Sequence, residues 1–539
     1  MTAAAGLGLV AASLVACSSG GGGTGATGPR TTLNVTLSTE SNDFNPFTGT
    51  MIGKGQFFDA TQTPLVGMDD SGEIIGRLAD SWEISPDAST VTVTLKDATW
   101  SDGEPITSAD VAFTYARYLN PQISANSGRV GLVVGQEEFN AGTADTVSGM
   151  ETPDDSTIIF HLATPNAAWV SQLASLDKFF PILPEHALGD VALDALADDD
   201  FFTSWPIASG PYKLDEWKSG QYAHLVKNDK WWDGTAAFED VYMRVLESDA
   251  ALAQLTTGEL QFASPVTAKD KDALTAKSDG FQVLEVPGIA PAYLQFNNAD
   301  PLLQDPRIKQ AMVYAIDRDG ICKTILLGAC SVPANNLRQL GPEWALADNG
   351  DLTEYPHDVD KAKSLLAEAG WNPDTTITLV NRPGDSAMDN AVNVIQSNLA
   401  EAGINVEITN TDTPGLLTMA ETFDSYQMFM IGGGNFAADP DNLASYTRCS
   451  ARYPAGANMG QYCVDGLDAK WDAGLATGDQ AERTSIYHDI YTTINSNPDG
   501  VSLYVPDGLA AASVQLDNVT IHGNPSSVYW NIGHWTWKK

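Results

Sequence analysis

The sequence predicts an α/β protein built as two lobes, and three observations carry that expectation. At 539 residues the chain exceeds what one hydrophobic core usually serves. Its second half alternates helix and strand signals, while its first half sets strands among helices without a regular βαβ repeat. Apolar residues make up 43% and aromatics 9%, the make-up of a folded globular chain rather than a disordered one.

The elements follow in order from alternation and caps. Leu33 to Leu37 alternates as a strand, and Ser38 to Phe47 reads as a loop punctuated by Asn-Pro. Val91 to Leu95 alternates again and runs into the turn Trp100-Ser101-Asp102-Gly103. Ser108 reads as the N-cap of a helix through Tyr118, with Asp110 in its first turn. Thr157 to Leu162 is strand-like. Asp305-Pro306-Arg307 supplies an N-cap with proline at the first helical position, and Ile308, Ala311, Met312 and Ala315 form the stripe behind it. Asp358 caps a helix whose Ala362, Leu365, Leu366 and Ala369 share a face, and Gly370 closes it. A further helix runs from about Met388 to Ala402, stops at Gly403 and leads into a strand from Ile404 to Ile408.

With 29 Lys and Arg against 69 Asp and Glu, the formal charge is −40, spread along the whole length. Such a charge repels phosphate backbones, so nucleic acid is excluded as a partner. The acidity itself reads as solubility rather than as a device for cationic ligands.

Ala3 to Ala16 is an apolar run that ends in Leu14-Val15-Ala16-Cys17. As a helix it would span only about 21 Å, short of a ~30 Å hydrocarbon core, which fits a secretory signal over 1–16 rather than a membrane span. The tetrapeptide resembles a bacterial lipobox, which implies a lipidated Cys17 and a lipid-anchored protein on the outer face of the cell membrane. No Lys or Arg precedes Arg30, so the basic segment that opens such signals is missing, as it would be if translation began further upstream. Residues 17–30, with Ser18-Ser19 and the tract Gly20 to Gly25, read as a flexible tether. The remaining cysteines are Cys322, Cys330, Cys449 and Cys463, an even set that in an exported chain suggests two disulfides. Three connectivities are open, and pairing of sequence neighbours is the one expected. Without Cys-x-x-Cys and with seven scattered His, no metal site and no cofactor are expected.

Several blocks together resemble the dipeptide- and oligopeptide-binding family of extracellular solute-binding proteins (family 5, which also has nickel-type members) that serve ATP-binding-cassette importers. They are Leu78-Ala79-Asp80-Ser81-Trp82-Glu83 with Trp100 to Pro105, Ser209-Gly210-Pro211-Tyr212 with Trp217, and Asn228 to Trp232. Asp305 to Ala311 with Tyr314 to Arg318, and Asp360 to Gly370, continue the set in collinear order from about 33 to 508. Most of these blocks have structural jobs that turn and cap chemistry explains.

The resemblance implies a periplasmic-binding-protein fold of type II, large cluster, with an extra subdomain in the first lobe and a hinge of two crossing segments. Lobe I would take 31–290, with the subdomain at about 76–190, lobe II 291–507, and 508–539 would return to lobe I. Tyr293 to Asn297 and Ser502 to Val505 would carry the chain across. A monomer would capture a small organic ligand, a peptide or an oligosaccharide, and deliver it to the permease subunits of the importer.

Arg382 resembles the arginine that pairs with a ligand carboxylate in dipeptide binders, where a guanidinium offers two parallel bonds. Glu40, Ser41 and Asn42 correspond to a segment beside the ligand, and Asn435 and Phe436 to a loop that brings backbone and a ring close to it. Phe436 stands where peptide binders carry the aspartate that holds the ligand's α-amino group, and Gly433 where a tryptophan is common. A buried ammonium without its carboxylate is costly, which weighs against an α-peptide. Trp82, Trp100, Trp217 and Trp232 read as core, and Trp530, Trp535 and Trp537 as packing on the first lobe, rather than as sugar platforms. Oligosaccharide- and metal-chelate-binding relatives are the alternatives within the family. A secreted hydrolase is the alternative outside it, weakened by the lack of Gly-x-Ser-x-Gly and His-Glu-x-x-His patterns.

Overall fold

The computed structural model describes residues 31–38, 44–48, 52–124, 127–276, 280–338, 343–346, 352–423, 425–432 and 439–539. Two large sheets organise the chain. The first has seven strands in the order Phe281–Val286, Gly508–Ser513, Phe262–Ala263, Thr32–Leu37, Asp240–Val245, Tyr222–Lys227 and Tyr212–Lys218. In its central strand Leu33, Val35 and Leu37 are buried as their alternation requires. A four-stranded antiparallel sheet of Ala79–Ile84, Thr90–Leu95, Thr157–His161 and Met150–Asp154 stands beside it. The helices Ser108–Tyr118 and Trp169–Ser175 pack here, and their core is continuous with that of the seven-stranded sheet. Trp100, Trp169 and Trp535 are sealed inside this shared core, with Trp82, Trp217, Trp232 and Trp537 packed against it.

The second sheet has six strands in the order Cys330–Ser331, Gly500–Pro506, Ala292–Phe296, Met428–Gly432, Thr376–Asn381 and Asn405–Asn410. Helices Pro306–Ala315, Val359–Ala369 and Ser386–Glu401 press Met312, Leu365, Leu366 and Ile395 onto Leu294 and Phe296. Leu467–Leu475 and Gln480–Ser496 form a separate cluster around Trp471, Tyr487 and Tyr491. This mixed α/β architecture of two sheet-centred cores is the one the sequence predicts.

The caps of Asp305 and Asp358 form, each carboxylate accepting a backbone N–H from the first turn, at 2.9 and 2.8 Å. Several boundaries shift by one or two residues from expectation, and two of the shifts have a specific cause. The first helix is capped by Thr107 rather than Ser108, because the Asp110 carboxylate accepts the Thr107 N–H at 2.8 Å and draws the start back one residue. Ile404 belongs to the helix end and not to the strand, since its N–H donates to the Leu399 carbonyl at 2.9 Å after Gly403 turns at φ +91°.

The chain leaves the first sheet at Val286, enters the second at Ala292, and returns directly from Pro506 to Gly508. Both passages lie side by side, with Val286 paired to Gly508. A Cβ on Gly288 would stand 1.8 Å from the Pro506 carbonyl oxygen, so only glycine admits this contact. Disulfides Cys322–Cys330 and Cys449–Cys463 form, both between sequence neighbours. The first ties the helix Arg318–Ile325 to the edge strand beside the returning passage.

Candidate ligand-binding cleft

The passages fix which sheet edges face each other. On the second lobe, Ala292 pairs with Gly432 and with Tyr504, so the edge beside the hinge carries these three residues. The strand Thr376–Asn381 runs parallel to its neighbour and ends at the same edge, which places Arg382 there. On the first lobe, Thr32–Leu37 and Asp240–Val245 run parallel and finish at the corresponding edge, with Ser38 bonded to Gln56 and Ser264.

The lobes meet again at a seam away from the hinge. The Ala167 N–H donates to the Leu475 carbonyl at 2.9 Å, and the Gly478 N–H donates to the Pro86 carbonyl at 3.1 Å. Ser171 reaches the carboxylate of Asp439 across the same line. Hinge and seam are thus two separate lines of contact between the lobes, and the gap between them is the candidate cleft. Two other hollows, of ≈ 130 Å³ beside Trp231, Trp232 and Trp530 and of ≈ 610 Å³ beside Asn34 and Gln261, are lined by first-lobe residues only and lie outside this gap.

Between hinge and seam, the second-lobe wall carries an arginine held by rings. The Arg338 guanidinium lies 4.0 Å from the ring centre of Tyr293 and 4.3 Å from that of Tyr446. One of its N–H groups donates to Gln295 Oε1 at 2.5 Å. Tyr293 and Gln295 share a strand face because they alternate with Leu294 and Phe296, which point into the core. Below them the Tyr293 hydroxyl donates to Asp499 at 2.6 Å, and Lys309 donates to Asn298 at 2.9 Å. Burial lowers the Lys309 ammonium to about 8, with Asp499 opposing the shift.

Of the residues singled out in the sequence, Arg382 is half-buried at the hinge-side edge, and among the described residues its side chain makes one hydrogen bond, to Thr413 Oγ1 at 3.5 Å. Glu40, Ser41, Asn42, Asn435, Phe436 and Cys17 lie outside the described residues. Asp439, next to the site of the expected amine partner, is committed elsewhere: Arg483 Nη2 donates to both its oxygens at 2.9 and 3.0 Å. Arg338 and Tyr446 carry no signal in the sequence, since neither caps, alternates nor falls in a motif; their stack forms only when distant segments meet.

Asp441 sits in the same buried seam cluster, with Arg448 Nη2 at 3.9 Å and no hydrogen bond to its Oδ1. Burial and the neighbouring Asp439 raise its carboxyl to about 7, against the pull of Arg448 and Arg483. An acid raised above its unfolded value of about 3.9 holds its proton preferentially in the folded state. Its contribution to stability is thus complete below about pH 4 and is lost as pH rises to about 7. Asp441→Asn is expected to flatten this fall in the urea midpoint, leaving the portion contributed by the other carboxyls that burial raises: Asp59, to about 6, and Asp110, Asp439 and Asp507. An unchanged slope would show that Asp441 is ionised throughout.

Comparison with known proteins places this geometry. The middle-region model of the bacterial extracellular solute-binding proteins, family 5, matches residues 73–454. A Brucella ovis protein named for ABC-transporter peptide binding is 32% identical over 492 residues, covering 88% of this chain and 87% of its own length. The dipeptide-binding protein of Escherichia coli is 28% identical over 466 residues, covering 82% and 83%. The crystal structure of the ABC transporter substrate-binding protein CtaP from Listeria monocytogenes superposes with a TM-score of 0.82 at 25% identity, covering 95% of this chain and 100% of that one. The chain belongs to family 5 of the bacterial extracellular solute-binding proteins.

Proposed function

We infer that this chain is the substrate-binding component of an ABC importer and that it captures a peptide, or another small organic solute of that size, between its lobes. The observation that carries the reading is mechanical: two separate sheet-centred cores are joined by two adjacent passages and touch again along a second, lighter line of contact. Contacts from both walls exist only when the gap is shut, so a ligand that touches both favours the shut form by its differential affinity. A permease that binds the shut form then receives loaded protein in preference to empty protein. Relatives named for peptides support the ligand class. The commitment of Asp439 to Arg483 leaves a ligand ammonium without that partner, and this favours solutes recognised chiefly through other groups.

The same reading includes a monomer held at the outer face of the cell membrane through a lipidated Cys17, with the segment to Arg30 as its tether. Detergent phase partition of the protein from its own host tests the anchor. Wild type is expected in the detergent phase and Cys17→Ala in the aqueous phase, and equal partition would refute it.

Capture without chemistry has its own test. At a hundredfold excess of a bound peptide over its dissociation constant, unfolding should cost about 2.7 kcal/mol more, with the peptide recovered intact. Cleavage of the added peptide during the measurement would contradict a purely binding role.

A further inference from the structure

We propose that Arg338 is the anchor for a carboxylate of the captured solute, a proposal that rests on the capture reading. Four observations converge on it. The side chain is 8% exposed, yet only one of its N–H groups has an acceptor among the described residues. Its other N–H groups have no acceptor among the described residues and are not fully sealed from solvent. Two tyrosine rings fix its plane at 4.0 and 4.3 Å, which removes most of the rotamer freedom that a flexible arginine loses on binding.

Charge balance points the same way. Among the described residues, the buried cluster behind the rings holds two cations, Lys309 and Arg338, and one carboxylate, Asp499. Asp499 accepts the Tyr293 hydroxyl, and among the ion pairs of the described residues none within 4.0 Å joins it to Arg338. Among the described residues Arg338 has no carboxylate within 4.0 Å, and it differs from the equally unpaired buried Arg318 in that Arg318 is satisfied by three backbone carbonyls. Its place completes the argument. Tyr293 is the second residue of the strand that follows the hinge, and Tyr446 follows the Asp439–Asp441 segment of the seam, so Arg338 stands between the two boundaries of the gap. A carboxylate there would accept two parallel N–H bonds from a guanidinium already oriented to give them. Arg382, with a freer side chain at the edge, lacks such a mount.

The probe is an equimolar library of dipeptides and tripeptides, supplied once as free acids and once as C-terminal amides, with binding read as thermal shift and as apparent affinity. Wild type should bind the free-acid library at least about tenfold more tightly than the amides, the scale of one charge-assisted bidentate contact. Arg338→Gln should lose that preference, and Arg338→Lys should recover part of it, with the unliganded melting temperature of each variant reporting its folding. Because the acid and amide arms are compared on wild type, a variant that fails to fold leaves the test intact. Equal binding of both libraries by wild type would overturn the anchor and leave capture standing. Loss of the preference in Arg382→Ala but not in Arg338→Gln would also overturn it. Binding of neither library would remove peptide capture and the anchor with it.

Discussion

Everything in this molecule hangs on a backbone contact that tolerates no side chain. The two strands that link the lobes pass so close that Gly288 has the Pro506 carbonyl oxygen where a Cβ would begin. Gly523 is placed in the same way, with a Cβ position 2.3 Å from the Pro287 carbonyl oxygen. These contacts hold the passages as a narrow paired ribbon while each lobe keeps its own core. The few residues between Val286 and Ala292 and around Asp507 are therefore the place where a hinge closure would act. Packed cores resist continuous deformation, so the lobes behave as bodies and the ribbon as the joint.

The opposite boundary is built from weaker material. Two backbone hydrogen bonds and the Ser171–Asp439 contact cross the seam. Each such bond contributes about 0.5–1.5 kcal/mol net, a sum small enough to be lost and regained. Behind it, Arg483 donates to both oxygens of Asp439, while Asp441 Oδ1 is buried without a hydrogen bond. The seam thus has a firm second-lobe foundation and a light first-lobe contact, the asymmetry expected where one surface must separate from another. A solute bridging hinge-side and seam-side residues would add to the same balance.

How much of this was legible beforehand depended on the range of the interaction. The caps at Asp305 and Asp358, the stop at Gly370 and the burial of Leu33, Val35 and Leu37 are local, and the sequence carries them directly. Boundaries slipped where a side chain or turn reached one residue further, as Asp110 does to Thr107 and as Leu399 does to Ile404. Three connectivities of the four cysteines stay open on the sequence alone, and the structure forms the expected pairing of neighbours. The Arg338 stack was invisible because its rings come from a hinge strand and a seam segment far apart in sequence. Arg382 was readable as a strand-end residue, but only the parallel register shows which edge it occupies.

The central claim is that two bodies move about the Gly288–Pro506 ribbon and that a solute draws them together at the seam. Spin labels on Asp87→Cys and Gln480→Cys, exposed positions on either side of the Pro86–Gly478 contact, report that motion by pulsed dipolar spectroscopy. A broad distribution of separations without peptide that collapses to one short distance with the free-acid library is the predicted result. A single narrow distance, unchanged across peptides that demonstrably bind, would contradict the hinge account.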